Sequence, residues 1–231
     1  MRFSKGLELQ TDVIVLWTRA IREDDLVVDF LTPDRGRLVG IARHGLKSRR
    51  RFGGVLEPFN FLSIRYQEKS GFVFLNEASI TESMIALRDD LKTLLAAFHL
   101  VDLTRRALME HQSDPFLYDL LKRSLMELKA GEACDRVVSQ FELRFLEDFG
   151  WKPQLEKCLA CGAQRVDASK REYYFVYREG GVFCASCCPP HLASDLFSEK
   201  SSARVIPRFI EYQLGVSLKS GRFILREGAH V

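Results

Sequence analysis

At 231 residues, the chain can form one large domain or two to three small ones; its 46% apolar and 28% charged residues suit a folded, water-soluble protein and argue against disorder. A net charge of +3 is too small to identify a partner. No apolar run approaches the ~20 residues of a membrane helix, and Met1–Glu8 is charged with no apolar signal core, so a cytoplasmic protein without a membrane partner is expected.

Residues 8–82 read as β structure. Thr11–Trp17 is apolar and β-branched. Leu26–Leu31 runs into the turn Thr32-Pro-Asp-Arg-Gly36, and Arg37–Ala42 leaves it as the second arm of a hairpin. Phe59–Tyr66 alternates in part, and Lys69-Ser-Gly71 turns the chain into Phe72–Leu75. Five short strands with one long loop between the third and fourth predict a closed barrel of OB type, with an SH3-like barrel as the alternative. Trp17, Phe59, Phe61 and Tyr66 are expected in its core.

From about residue 83 the period becomes helical. Leu87, Leu91, Leu94, Leu95, Phe98 and Val101 recur at steps of three and four. Asp114-Pro115 reads as a cap followed by proline in the first turn, and Gly131 as a stop. Val137, Val138, Phe141, Phe145 and Phe149 give a third helix, ended by Gly150 and Pro153. The three are expected to pack as a bundle. Ala203–Leu214 should form a last helix returning to it, with Pro207 in its first turn. The overall expectation is an α+β multidomain chain: a barrel over 1–82, a helical bundle over 83–153, an inserted zinc module over 154–192, and a C-terminal helix and tail over 193–231.

Cys158-Leu-Ala-Cys161 and Cys184-Ala-Ser-Cys187 are two C-x-x-C pairs flanking a strand–turn–strand stretch, Glu172–Phe183. Four thiolates in two tight turns fill a tetrahedral shell, which predicts one structural Zn2+ in a ribbon rather than a catalytic metal. Cys188 could replace Cys187, and His191 is a more distant substitute. Cys134 is expected to be a buried small side chain within a helix.

From Arg35 to Lys69 the chain holds nine Lys or Arg against two Glu, a local charge of +7. Within this stretch His44-Gly-Leu-Lys-Ser-Arg-Arg-Arg-Phe-Gly-Gly54 occupies the long loop. Its cations suit phosphates, its glycines suggest mobility, and Phe52 is a candidate for stacking on a base. A solvated loop or an acidic protein partner are the competing readings. Asp24 and Asp25 form a carboxylate pair with nothing beside it to complete an acid/base site, and His99 and His111 are assigned to helices. There is no P-loop, Rossmann glycine pattern, nucleophile elbow or His-Glu-x-x-His, so neither an enzyme nor a small-molecule substrate is expected.

This order of modules resembles the RecO family of bacterial DNA repair and recombination mediators. So do the phrases Thr32-Pro-Asp-Arg-Gly-Arg-Leu38, Ala42-Arg-His-Gly45, Ser48-Arg49 through Phe52-Gly-Gly54, Leu56-Glu-Pro-Phe59, Phe149-Gly-Trp-Lys-Pro153 and Cys158-x-x-Cys-Gly162. The resemblance implies binding of single- and double-stranded DNA, annealing of complementary strands, and cooperation with RecR in loading RecA onto strands covered by single-strand-binding protein, near the nucleoid. It implies a DNA surface at Arg35, Arg37, Arg43, Lys47, Arg49, Arg50 and Arg51, and zinc on Cys158, Cys161, Cys184 and Cys187. It also implies binding of the acidic C-terminal tail of single-strand-binding protein, for which Arg105, Arg106, Lys122 and Arg123 beside apolar helix faces are candidates. The competing function is a zinc-ribbon accessory factor of transcription or translation that contacts RNA or protein.

Overall fold

A computed structural model of the chain describes residues 8–165, 172–188, 195–197 and 199–218. It divides into two compact units, with the boundary between Cys134 and Asp135.

The first unit opens with five strands: β1 (Glu8–Ile21), β2 (Asp25–Thr32), β3 (Gly36–Ala42), β4 (Phe61–Lys69) and β5 (Phe72–Glu82). They close in the order β1-β2-β3-β5-β4, with β1 paired to β4 and a parallel β3–β5 contact. That is the OB arrangement, and it removes both sheet edges. Alternate side chains point inward, as the period of two requires: Val13, Val15, Val28, Phe30, Leu38, Leu62, Ile64, Tyr66, Val73 and Leu75 form one core. The β2–β3 turn depends on Gly36, whose φ is +72°; a Cβ there would lie 1.8 Å from the Gln112 carbonyl oxygen. Phe59, Phe61 and Tyr66 are buried as expected, whereas Trp17 is 42% exposed. A register shift between Val15 and Trp17 turns it out of the core, so that it packs edge-on to Phe98, with Arg105 over its ring.

Beyond a short 3-10 turn at Ile85–Arg88 come α1 (Leu91–Ala107) and α2 (Pro115–Lys129), which pack against each other. Asp90 caps α1 by accepting from the Thr93 N–H, and Asp114 caps α2 by accepting from the Leu117 N–H, with Pro115 directly after it. His99 lies buried in α1, but His111 sits in the connection to α2 with φ +63°, not in a helix. An ion pair joins Lys129 of α2 to Glu82 of β5.

The second unit contains α3 (Cys134–Asp148) from Asp135 on, the strands β6 (Tyr173–Val176), β7 (Gly181–Cys184) and β8 (Asp195–Phe197), and α4 (Glu199–Leu214). Phe141, Phe145, Phe149 and Trp151 form a continuous aromatic ladder along and just past α3. Cys134, at the start of that helix, is half-buried rather than buried. The sheet order is β7-β6-β8. Pro207 falls in the middle of α4, not in its first turn. Its missing N–H removes one helical bond, and the burial of Val205, Ile206, Phe209 and Ile210 around it offsets that loss.

Candidate nucleic-acid interface and metal centre

In the first unit, the 43–60 loop is anchored rather than free. Phe52, 1% exposed, and Leu56 enter the barrel core, so Phe52 is a plug and not the base-stacking ring expected from its position among cations. The Ala78 N–H donates to the Arg51 carbonyl at 2.9 Å, and Phe59 and Asn60 exchange backbone bonds with Val15. Asp24 and Asp25, an unexplained pair in the sequence, brace the other end. Asp24 pairs with Lys47 at 2.6 Å, and Asp25 accepts from the His44 N–H at 2.8 Å.

This anchoring sorts the seven expected DNA-contacting cations. Arg37 points into the barrel wall, where Nε and Nη2 donate to the two oxygens of Asp29 at 2.9 and 2.8 Å and Nη1 donates to the Leu108 carbonyl. The bonds to Asp29 hold its guanidinium above the usual pKa, against the opposing effect of burial. Arg35 donates to the Tyr66 hydroxyl and pairs with Glu68. Lys47 is paired with Asp24 but its side chain remains 73% exposed. Arg51 is fastened to Ser48 and to the Arg43 carbonyl, and its guanidinium lies over the Phe52 ring. The Arg43 guanidinium lies over Phe74. Arg49 and Arg50 project into solvent, with no ion-pair partner among the described residues. The exposed part of the set is therefore Arg43, Lys47, Arg49 and Arg50.

Arg105 and Arg106 occupy the last turn of α1. Arg105 donates from Nε to Asp29 at 2.9 Å, and Arg106 pairs with Asp102 one turn back. Lys122 and Arg123 are exposed on α2.

In the second unit, the Sγ atoms of Cys158, Cys161, Cys184 and Cys187 all lie within 4.8 Å of one another. Cys188 is outside this group, and His191 lies outside the described residues. Two reverse turns build the cluster. The Gly162 N–H returns to the Cys158 carbonyl, and the Cys187 and Cys188 N–H groups return to the Cys184 carbonyl, each at 2.9 Å. The β6–β7 hairpin holds the turns together, with the Leu159 N–H donating to the Val182 carbonyl. The Cys161–Cys184 sulfur separation of 3.8 Å is close to the edge of a tetrahedron with ~2.3 Å metal–sulfur bonds, so the donor set fits a four-coordinate soft metal ion. Hydrogen bonds from Ser186 and then the neighbouring cysteines pull the Cys184 thiol down to about 6. Cys187 is pushed up to about 12, first by its bond to Cys184. Four thiols this close favour sharing protons, or a cation in their place.

No helix among the described residues is long and apolar enough to cross a membrane. Residues 5–84 match the family profile described as Recombination protein O N terminal, and residues 88–201 match Recombination protein O C terminal. A DNA repair protein RecO of Anaeromyxobacter sp. (strain K) is 38% identical over 169 residues, covering 72% of this chain and 65% of that relative. The namesakes from Syntrophus aciditrophicus (32% identical; 81% and 72% covered) and Myxococcus xanthus (31%; 94% and 97%) match over longer stretches. The chain thus spans just under two thirds of the length of its Anaeromyxobacter relatives. With both halves of the family pattern matched in order, the chain belongs to the RecO family of DNA repair proteins.

Proposed function

We propose that this protein is a non-catalytic DNA-binding recombination mediator of the bacterial cytoplasm, associated with the nucleoid. It binds single- and double-stranded DNA and anneals complementary strands. With RecR it helps load RecA onto strands covered by single-strand-binding protein. Residues 1–82 act as the DNA module, 83–153 and 193–231 as the helical part, and 154–192 as a module held by one structural zinc ion on Cys158, Cys161, Cys184 and Cys187.

The observation that carries the reading is the exposed cluster Arg43, Lys47, Arg49 and Arg50 on a loop braced to an OB barrel. Such a surface attracts phosphates without reading bases and releases counterions as it does so. Holding two like-charged strands on it lowers their mutual repulsion, which is what annealing requires. Arg35 and Arg37 serve this surface indirectly by keeping the barrel wall in shape. Of the helical cations, Lys122 and Arg123 remain the candidates for the acidic tail of single-strand-binding protein, since Arg105 and Arg106 are already paired.

The test is a salt titration of oligonucleotide binding, together with an annealing assay on strands coated with single-strand-binding protein. Arg49→Glu with Arg50→Glu should weaken binding to every sequence and reduce the slope of log K against log[salt] by roughly 1–2. An unchanged slope rejects the proposed surface. RNA preference without annealing would indicate an accessory factor of transcription or translation instead.

A further inference from the structure

We propose that Phe72 and Phe74 form a stacking site for an unpaired nucleobase, so that this face of the barrel takes single-stranded DNA in preference to duplex. The proposal rests on the DNA-binding reading above and adds to it a base-binding site.

Strand β5 alternates, with Val73 and Leu75 inward and Phe72, Phe74 and Asn76 outward. An outer barrel face normally carries polar residues, yet Phe72 is 59% exposed and packs tilted against Phe74 at 6.4 Å between ring centroids. The pair is rigidly presented. Ser70 and Gly71, both at positive φ, form the two-residue turn that joins β4 to β5, and Lys69 sits opposite Phe72 across that hairpin. Exposing such a ring forgoes favourable burial, which an adenine or thymine face laid on it would recover.

The surroundings match a nucleotide in charge and size. Phe72 and Phe74 line a cavity of about 350 Å³ together with Arg43, Arg51, Lys69 and Asn76, at the lower end of the volumes that hold small ligands. The Arg43 guanidinium lies 4.8 Å over Phe74 and so covers one face of that ring. Phe72 is left as the open platform. Arg51 ties the cavity to the cationic loop by donating from Nη2 to the Arg43 carbonyl at 2.6 Å. A strand whose phosphates follow Arg43, Lys47, Arg49 and Arg50 can thus place a base on Phe72. Asn76 adds an amide for the base edge, although its Nδ2 also donates to Glu8 at 2.8 Å. In a duplex the base faces are already stacked and unavailable, whereas stacking on a protein ring tolerates any unpaired base.

The experiment is fluorescence anisotropy of the full chain with a labelled oligothymidine and with a fully paired duplex, each across a salt series. Phe72→Ala removes an exposed ring and leaves the core intact. It should weaken single-strand binding by about five- to a hundredfold, leave duplex affinity unchanged, and leave the salt slope unchanged because no phosphate contact is lost. Phe72→Trp should restore single-strand affinity. Unaltered single-strand binding by Phe72→Ala and Phe74→Ala overturns the stacking site while the basic loop stands. An equal loss for duplex and single strand also overturns it, since that marks a general effect on the surface. Failure of the underlying reading looks different: the unmodified protein would bind neither substrate, or Arg49→Glu with Arg50→Glu would leave the salt slope untouched.

Discussion

Asp29 offers the sharpest test of how the cations of the first unit are divided between structure and binding. Its side chain is 6% exposed and accepts three charge-assisted bonds, two from Arg37 of β3 and one from Arg105 of α1. Each such bond is worth ~1.5–3 kcal/mol, so Asp29→Ala forfeits a gross ~5–9 kcal/mol. The two arginines, 19% and 28% exposed, can recover part of this from water, which leaves a net loss of about 3–5 kcal/mol. For a unit of this size that corresponds to a fall in Tm on the order of 10 °C. Asp29→Asn should cost nearly as much, because its amide group turns a donor toward a guanidinium. Urea unfolding followed by circular dichroism reads the loss, and a double-mutant cycle with Arg37→Met should show a coupling above ~1 kcal/mol. Replacing Asp29, Arg37 and Arg105 together by apolar residues should return most of the stability. A loss below ~1 kcal/mol for Asp29→Ala would refute the clamp. Stronger DNA binding by that variant, with stability intact, would return Arg37 to the binding surface.

Two further outcomes follow from the structure. Metal analysis should find one zinc ion per chain; Cys187→Ser should lose it and Cys188→Ser should keep it, and chelation should loosen the two cysteine turns and the β6–β7 hairpin in hydrogen exchange while the barrel stays protected. Zinc retained by Cys187→Ser but lost by Cys188→Ser would reassign the fourth ligand. Burial, and then the charges of Asp12 and Asp119, push the Tyr118 hydroxyl from 10.0 up to about 12. Its folded-state pKa is raised, so its contribution is fully present below the ordinary tyrosine pKa and is lost as pH rises from about 10 to about 12. Discounted for the partial access of the hydroxyl to water, that contribution is on the order of 1–2 kcal/mol. Tyr118→Phe should therefore flatten the loss of stability in that alkaline window, as followed by urea unfolding at stepped pH.

Features set by neighbours along the chain were legible in the sequence. The C-x-x-C turns bring their sulfurs together because each turn closes on its own backbone, and Asp114 with Pro115 starts α2 through a bond three residues away. The strands and their hairpin turns followed from alternation, and the barrel followed from five short strands that need their edges paired. What each exposed-looking side chain does was decided by the tertiary structure. Arg105 meets Asp29 across 76 residues of sequence, so no local pattern distinguishes its structural role from the exposure of Arg49. The register shift in β1 turned Trp17 outward, barrel closure drew Phe52 in as a plug, and strand phase put Phe72 outside. Composition fixes how many cations and rings a chain has to place. Which of them face solvent depends on which backbone comes to lie opposite, and that is settled when the barrel closes and α1 docks on it.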